Sequence, residues 1–363
     1  MIPIEEIKSR RILITHGYPE GPCPDGLAAA LIIRDALPSI DVRFLVHNTM
    51  ELENLKAEPG MLFVDICPPR ARAQEFIDAG AIVLDHHAAT RDVVEAFGER
   101  GVYADAATEP GVSGAVLAFR EVWRVVDEDQ GIDTFFPASS RRPNERVFDR
   151  ISRFAMLAGV RDTWQKRSPH WKEACEQAAS LLFWPGCRDF TRHGREALRG
   201  SDFESWMAIG PVLLAKAEEK ARRLALQHWA LTTDHDTHVA VLPSCEISDA
   251  ADLMGGFDVV VGFQFTASET EPPAMRVSLR ARGRHDVSQL ASRFGGGGHK
   301  GAAGFRLSLA SHLDRADPYT MLRGIITAYE HKDEAPWGLT RAELCEANTD
   351  VDGGGSKRQG EGR

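Results

Sequence analysis

Short apolar runs separated by amphipathic segments fill the first third of the chain. The runs predict β-strands at residues 11–15, 41–46, 61–65 and 81–85. The segments between them predict helices from about residue 27 to 37 and over residues 70–79. Strands that alternate with helices predict an α/β fold with a doubly wound parallel sheet.

Helical patterns dominate the middle of the chain, and a second α/β pattern follows. Helices are predicted at 114–126, 145–158 and 171–183, with a polar surface loop at 127–143. A long amphipathic pattern over 204–231 predicts one connector helix. Strands at 237–242, 259–266, 275–280 and 305–307, with helices at 287–294 and 319–329, predict a smaller domain. The polar tail, 349–363, is expected to be disordered.

These patterns predict four parts of the chain. A first domain spans residues 1–200, a connector helix 201–232, a second α/β domain 233–330 and a C-terminal extension 331–363.

Composition narrows the class of protein. The 363 residues carry a formal net charge of −10, which favours small or short anionic substrates over long nucleic acid duplexes. The six cysteines form no C-x-x-C pair, which argues against a disulfide framework. No apolar run approaches the ~20 residues that span a bilayer, and the N-terminus lacks a signal-peptide pattern. A cytoplasmic protein without a membrane partner is therefore expected, and a homodimer is left open.

Ionisable side chains follow three of the predicted strands at the points where they end. In open α/β sheets, ligands bind beyond the carboxyl ends of the strands. The candidates, together with one Asp before the first helix, are His16, Asp25, Asp65, Asp85, His86 and His87.

Imidazole combined with carboxylate suits Mn, Fe or Zn better than Ca or Mg alone. Asp65, alone at a central strand end, is the candidate to bridge two ions roughly 3.5–4 Å apart, which would activate a water for attack on phosphorus. Adjacent His86 and His87 point to opposite faces of a regular strand. One is therefore expected to be a ligand and the other to meet the substrate phosphate or act as an acid.

A glycine-rich run, residues 295–304, is the second group of candidate functional residues. Its glycines let backbone N–H groups close around an anion, and His299 and Lys300 add donors. The basic residues around the run are Arg276, Arg280, Arg282, Arg284, Arg293, Lys300 and Arg306. They predict a local surface that attracts phosphate.

The triplet Asp85-His86-His87, followed by the run Gly295-Gly-Gly-Gly-His-Lys-Gly-Ala-Ala-Gly304, resembles the DHH/DHHA1 phosphoesterases. That family includes RecJ-type exonucleases, nanoRNases with pAp phosphatase activity and cyclic dinucleotide phosphodiesterases. The resemblance covers residues 11–307. It implies a two-domain hydrolase whose metal site faces a phosphate-binding second domain across a cleft.

The resemblance also implies roles for individual residues. It implies metal ligands at His16, Asp25, Asp65, His86 and Asp162, catalytic roles for His87 and Asp85, and substrate binding by Arg280, Gly296, Gly297, Gly298, His299 and Lys300. Asp162, which by itself is typical of a helix end, gains its metal role only from this resemblance. The implied cofactor is Mn²⁺, as two ions, with Mg²⁺ or Co²⁺ as alternatives.

One interval departs from the family pattern. The family places another Asp between its first His and second Asp, but residues 17–24 contain none. Glu20 is a candidate substitute, whereas Tyr18 is no ordinary ligand for such an ion. This departure keeps three readings open: an Mn-dependent phosphoesterase acting on short oligonucleotides or nucleotides, a catalytically weakened nucleotide-binding protein, and a single-strand-specific exonuclease.

Overall fold

The computed structural model describes residues 2–18, 21–47, 49–129, 143–183, 198–199, 201–232, 237–266, 274–283, 285–294 and 296–308. The chain divides into two compact units, Met1–Glu219 and Lys220–Arg363. The residue bounds of the four parts predicted from sequence stay predictions. The predicted helix 319–329 and the tail 349–363 lie outside the described residues.

A parallel sheet forms the centre of the first unit. Its strands are β1 Ile12–Tyr18, β2 Gly21–Pro22, β3 Asp41–Leu45, β4 Met61–Val64, β5 Ile82–Asp85 and β6 Gly101–Tyr103. Five of them pair in parallel in the order β3-β1-β4-β5-β6, and β2 folds back antiparallel onto the end of β1. The predicted α/β class with a parallel sheet is confirmed; β2 and β6 were not predicted.

Helices cover both faces of this sheet. They are α1 Ile4–Lys8, α2 Pro24–Ala36, α3 Met50–Glu53, α4 Ala73–Asp78, α5 Arg91–Ala96, α6 Gly114–Leu117, α7 Arg124–Asp129, α8 Pro143–Asp162 and α9 Trp171–Phe183. Short 3₁₀ helices lie at Arg70–Arg72, Ala88–Thr90 and Gly98–Arg100, and a π-helix, Ala118–Trp123, joins α6 to α7. The predicted loop 127–143 is wrong at its start, because residues 127–129 continue α7; residues 130–142 lie outside the described residues.

Alternate residues of each strand enter opposite apolar cores. Leu13 and Leu62 pack with α2, α6 and α8 in one core, whereas Ile14 and Phe63 pack with α3, α4 and α5 in the other. This division follows from the two-residue period of a strand and explains why the runs are apolar without interruption.

Helix α2 is buried almost all round, as its apolar segment 27–33 predicts. Cys23 caps its N-terminus, because the Cys23 sulfur accepts the Gly26 N–H at 3.5 Å, and Pro24 occupies the first position. A Cβ on Gly26 would collide with the His16 carbonyl. The glycine therefore lets α2 start directly against β1.

The second unit contains a mostly antiparallel sheet in the order β11-β12-β10-β9-β8-β7. The strands are β7 Trp229–Thr232, β8 His238–Leu242, β9 Val259–Thr266, β10 Ala274–Ala281, β11 Gly297–His299 and β12 Ala302–Ser308. Strands β8 and β9 are parallel to each other. Helices α11 Ser248–Leu253 and α12 Val287–Arg293 pack into two separate apolar cores.

The predicted connector helix 204–231 is too long. Helix α10, Ser201–Ala225, ends where His228 Nδ1 lies 2.8 Å from the Ala225 carbonyl. The next residues form β7, which pairs antiparallel with β8 from Trp229↔Val241 to Thr232↔His238. Pairing with a neighbouring strand, which one sequence does not reveal, overrides the helical pattern there. Among the described residues, no helix is long and apolar enough to cross a bilayer.

Candidate metal centre

Four parallel strands bring ionisable side chains to one edge of the first unit's sheet. His16 lies near the end of β1, Asp65 directly follows β4, and Asp85-His86-His87 ends β5. Strand β3, which pairs with β1, is followed by His47. This edge is the place where open α/β sheets bind ligands.

Asp65 lies at the centre of the cluster. Its backbone has φ 64°, in the left-handed region that Asp tolerates better than most residues, and its N–H donates to the Leu84 carbonyl at 3.1 Å. The carboxylate is buried. This turn ends β4 and places an acidic side chain at the sheet edge.

The two oxygens of Asp65 face different groups of donors. Oδ1 lies 3.1 Å from His86 Nε2. Oδ2 lies 3.7 Å from His16 Nδ1 and 3.6 Å from Cys23 Sγ. Each oxygen of this carboxylate therefore faces a different group of potential metal ligands.

The donor group on the Oδ1 side comprises His86, Asp25 and Asp162, whose ligand atoms lie within 4.8 Å of one another. Asp162 Oδ2, at the end of α8, is 3.5 Å from His86 Nε2. Asp25, in the first turn of α2, is held by Ser113, whose hydroxyl donates to Oδ1 at 2.6 Å. The predicted ligands Asp25, Asp65, His86 and Asp162 are thus brought together.

The donor group on the Oδ2 side comprises His16, Cys23 and Asp65, again within 4.8 Å. Cys23 was not among the predicted ligands. Glu20, the predicted substitute, lies outside the described residues. Tyr18 is 43% exposed and packs edge-on against the His16 ring.

Asp85 accepts hydrogen bonds at both of its oxygens. His87 Nδ1 lies 2.7 Å from Oδ1, and Oδ2 accepts the Thr90 hydroxyl at 2.6 Å and the Cys67 thiol at 3.2 Å. Burial alone would lower the pKa of His87, but the negative charge of Asp85 raises the pKa above its usual value. The arrangement fixes the His87 ring and favours a proton on it.

The charges of the cluster fit a cation. Burial raises the pKa of Asp25, and the negative charges of Asp65 and Asp162 raise it further. Burial alone would lower the pKa of His86, but the neighbouring carboxylates Asp65 and Asp162 raise it to about 10. Buried carboxylates need compensating positive charge, which protons supply here and a divalent ion would supply in their place. Both donor groups, which combine carboxylate with imidazole, fit transition-metal ions.

His47 is a residue that sequence reasoning missed. Its ring centroid lies 4.7 Å from that of His16 and 5.7 Å from that of His87. Burial and the charges of His16 and His87 lower its pKa to about 3, which keeps the ring neutral. The signal was present, because the strand at 41–46 ends in a histidine as the others end in ionisable residues.

Ser113 and Gly114 were missed as well. Besides the Ser113 hydroxyl, the Ala115 N–H donates to Asp25 at 3.3 Å. A Cβ on Gly114 would lie 2.8 Å from Asp25 Oδ2 and closer still to Asp65 Cβ. The absence of a side chain at Gly114 lets α6 approach both carboxylates.

Part of the glycine-rich run of the second unit forms a strand, and anion binding by this run stays a prediction. Gly297–His299 form β11, which is the last strand of the sheet among the described residues and pairs with β12 in the register Gly297↔Gly304 to His299↔Ala302. Gly298 has φ 137°, and a Cβ on Gly296 would collide with the Gly304 carbonyl. These two glycines therefore serve close strand pairing.

A basic sheet face lies next to this run. Arg276 and Arg280 alternate with the buried Met275 and Leu279 on β10, and Arg306 of β12 pairs with Arg276. Arg280 Nη2 donates to the Ser248 hydroxyl at 2.6 Å. Lys300 is exposed in the turn between β11 and β12, and Arg284 lies outside the described residues.

No family model and no curated protein sequence matches the chain. A solved structure, the DHH domain of a member of the S1p family of ribosomal proteins, is similar with a TM-score of 0.55 and 12% identity, over 90% of this chain and 87% of that one. A pGpG-specific phosphodiesterase from Vibrio cholerae has a TM-score of 0.32 and 14% identity, over 88% and 99% of the two chains. An exopolyphosphatase-related protein from Bacteroides fragilis has a TM-score of 0.40 and 11% identity, over 90% and 94%.

The first of these similarities defines the class of fold. The chain has the α/β fold of the DHH-domain proteins. The resemblance inferred from Asp85-His86-His87 and the glycine-rich run is confirmed at this level.

Proposed function

We propose that the protein is a metal-dependent phosphoesterase of the DHH type. Its proposed substrates are short oligonucleotides or nucleotides, cleaved at a phosphodiester or terminal phosphate bond. The observation that carries this proposal is the Asp65 carboxylate, whose two oxygens face two separate donor groups at the ligand-binding edge of the sheet.

Asp25, Asp65, His86 and Asp162 would hold one ion, and His16 and Asp65 would contribute to holding a second. Mn²⁺ is the proposed ion, with Mg²⁺ and Co²⁺ as alternatives. Bound there, two such ions would supply a water of lowered pKa and polarise a phosphoryl oxygen.

His87 is the proposed contact to the phosphoryl group. Asp85 holds the ring through Nδ1 at 2.7 Å, which would orient the imidazole so that it can donate a hydrogen bond or a proton to a phosphate oxygen. Asp85 acts through His87 and is a positioning residue in this account.

The second unit is proposed to bind substrate phosphate. Its candidate residues are Arg280, Gly296, Gly297, Gly298, His299 and Lys300. The basic face of β10 and β12 supports this role, because guanidinium groups recognise phosphate through paired hydrogen bonds.

The test is hydrolysis of a substrate panel by the purified protein with Mn²⁺, Mg²⁺ or Co²⁺. The panel contains pApA, pAp, cyclic dinucleotides, and RNA and DNA oligomers of increasing length. His87→Asn is expected to lower kcat at least about 100-fold while metal binding is kept. The matched control, His238→Asn, changes an exposed histidine of β8 and is expected to keep full activity.

The dependence of turnover on oligomer length distinguishes the substrate classes, since a preference for long single strands would favour an exonuclease. The absence of turnover with every ion and substrate, together with saturable nucleotide binding, would favour the second candidate, a nucleotide-binding protein. The observation behind that candidate is the interval 17–24, which contains no Asp.

A further inference from the structure

Cys23 occupies a position beside the metal centre that the proposed function leaves unexplained. It is buried, and its sulfur accepts the Gly26 N–H at the start of α2. The same sulfur lies 3.6 Å from Asp65 Oδ2, the oxygen that His16 Nδ1 also approaches at 3.7 Å. Sulfur, nitrogen and oxygen thus converge on the Oδ2 side of Asp65.

The separations match those of ligands around one ion. With a Zn–S bond of about 2.3 Å and Zn–N or Zn–O bonds of about 2.0 Å, a tetrahedral site places sulfur about 3.5 Å and nitrogen about 3.3 Å from the oxygen. The observed distances exceed these values by a few tenths of an ångström at most. The Cys23 sulfur and the His16 nitrogen lie within 4.8 Å of each other, so a movement of about 1 Å or less would bring all three atoms onto a common ion.

The sulfur–oxygen distance also fits a hydrogen bond from the Cys23 thiol to Asp65. The metal-free thiol and the metal-bound thiolate differ by one proton. Without an ion, the thiol keeps its proton and donates it to the carboxylate. When an ion binds, the S–H bond breaks, the metal–sulfur bond forms and the proton leaves to solvent. Capping α2 does not require sulfur, since serine is a better N-cap.

We propose that Cys23, as a thiolate, is a metal ligand that forms with His16 and Asp65 a sulfur-containing site selective for Zn²⁺ or Co²⁺ over Mn²⁺ and Mg²⁺. Thiolate is a soft ligand that favours such ions, whereas carboxylate favours Mg²⁺ and Mn²⁺. The inference rests on the proposed metal centre. The two metal positions would then prefer different ions. The group of Asp25, His86 and Asp162 contains only carboxylate and imidazole donors, whereas the group of His16, Cys23 and Asp65 also contains sulfur.

The test is a Co²⁺ titration of metal-free protein in a non-thiol reductant, followed by competition with Zn²⁺. The variants are Cys23→Ser, which keeps a helix cap of similar size, and Cys23→Asp, which supplies a carboxylate instead. Cys175→Ser, at a partly exposed cysteine of α9, is the matched control. Circular dichroism and urea unfolding establish that each variant is folded.

Wild type and Cys175→Ser are expected to develop a thiolate-to-cobalt charge-transfer band in the near ultraviolet and to release one proton more than Cys23→Ser. In Cys23→Ser the band is lost and Co²⁺ affinity at this site falls at least about tenfold. In Cys23→Asp the band is lost, and preference shifts toward Mn²⁺.

Two outcomes would overturn the inference in different ways. If Co²⁺ binds with the visible bands of nitrogen and oxygen ligands, and Cys23→Ser gives the same spectrum and affinity as wild type, Cys23 is not a ligand although the metal centre stands. If no variant binds Co²⁺ or Zn²⁺ at all, the metal centre of the proposed function fails together with the role of Cys23.

Discussion

Gly114→Ala is the substitution whose effect can be worked out most fully from the structure. The added Cβ would lie 2.8 Å from Asp25 Oδ2 and closer still to Asp65 Cβ. Comfortable contacts of a carbon atom begin near about 3.5 Å, so the neighbours must move by at least about 0.7 Å. The atoms that must move belong to two proposed metal ligands.

The expected change in the free energy of unfolding has the opposite sign to that of an ordinary replacement of glycine by alanine in a helix. Alanine in a helix normally stabilises a protein by about 0.5–1 kcal/mol relative to glycine. Here overpacking is expected to cost about 1–3 kcal/mol, and the displacement of Asp25 and Asp65 is expected to lower Mn²⁺ affinity about 10–100-fold.

The assay is urea unfolding together with calorimetric titration of Mn²⁺ into metal-free protein. Gly256→Ala is the matched control, because a Cβ there meets no atom within 4 Å. The reasoning is refuted if Gly114→Ala is as stable as wild type and binds Mn²⁺ with unchanged affinity.

Three further substitutions and one treatment test separate parts of the account. Ser113→Ala removes the hydroxyl that donates to the buried Asp25, and urea unfolding should show a loss of about 1–3 kcal/mol; an unchanged unfolding midpoint would contradict this role. Asp85→Asn should lower kcat by at least about 100-fold, because the His87 ring loses its charged partner, and metal affinity measured by calorimetry should change little. Equal losses in kcat and in metal affinity would indicate that Asp85 is itself a metal ligand. Arg280→Ala should raise KM several-fold and leave metal affinity unchanged in the same titration; an unchanged KM would remove Arg280 from the substrate site. Chelation of bound metal should lower Tm, and restoring the ion at about 100 times its Kd should return about 2.7 kcal/mol of stability, whereas a Tm indifferent to the ion would count against a bound metal.

Much of the first unit could be predicted from sequence because its signals are local. A parallel strand buried on both faces is an uninterrupted apolar run, and the ionisable residue that ends it is adjacent in sequence. The ends of β1, β4 and β5 were therefore identified from single short segments. His47 has the same local signal after β3 and was overlooked.

Other features depend on contacts between distant parts of the chain. Ser113 lies 88 residues from Asp25, and only the packing of α6 against α2 brings the two side chains together. The position of Cys23 depends on how the chain returns through β2 to the start of α2. Likewise, Trp229–Thr232 becomes a strand because β8 is available to pair with it.

The central claim is that the two donor groups around Asp65 would hold two ions, and counting bound metal tests it most directly. The measurement is native mass spectrometry with elemental analysis on wild type, Asp65→Asn and the control Asp41→Asn, which changes an exposed carboxylate at the opposite end of β3. The account predicts two divalent ions per chain in wild type and Asp41→Asn, and at most one in Asp65→Asn. Two ions retained in Asp65→Asn, or none bound by wild type, would contradict it.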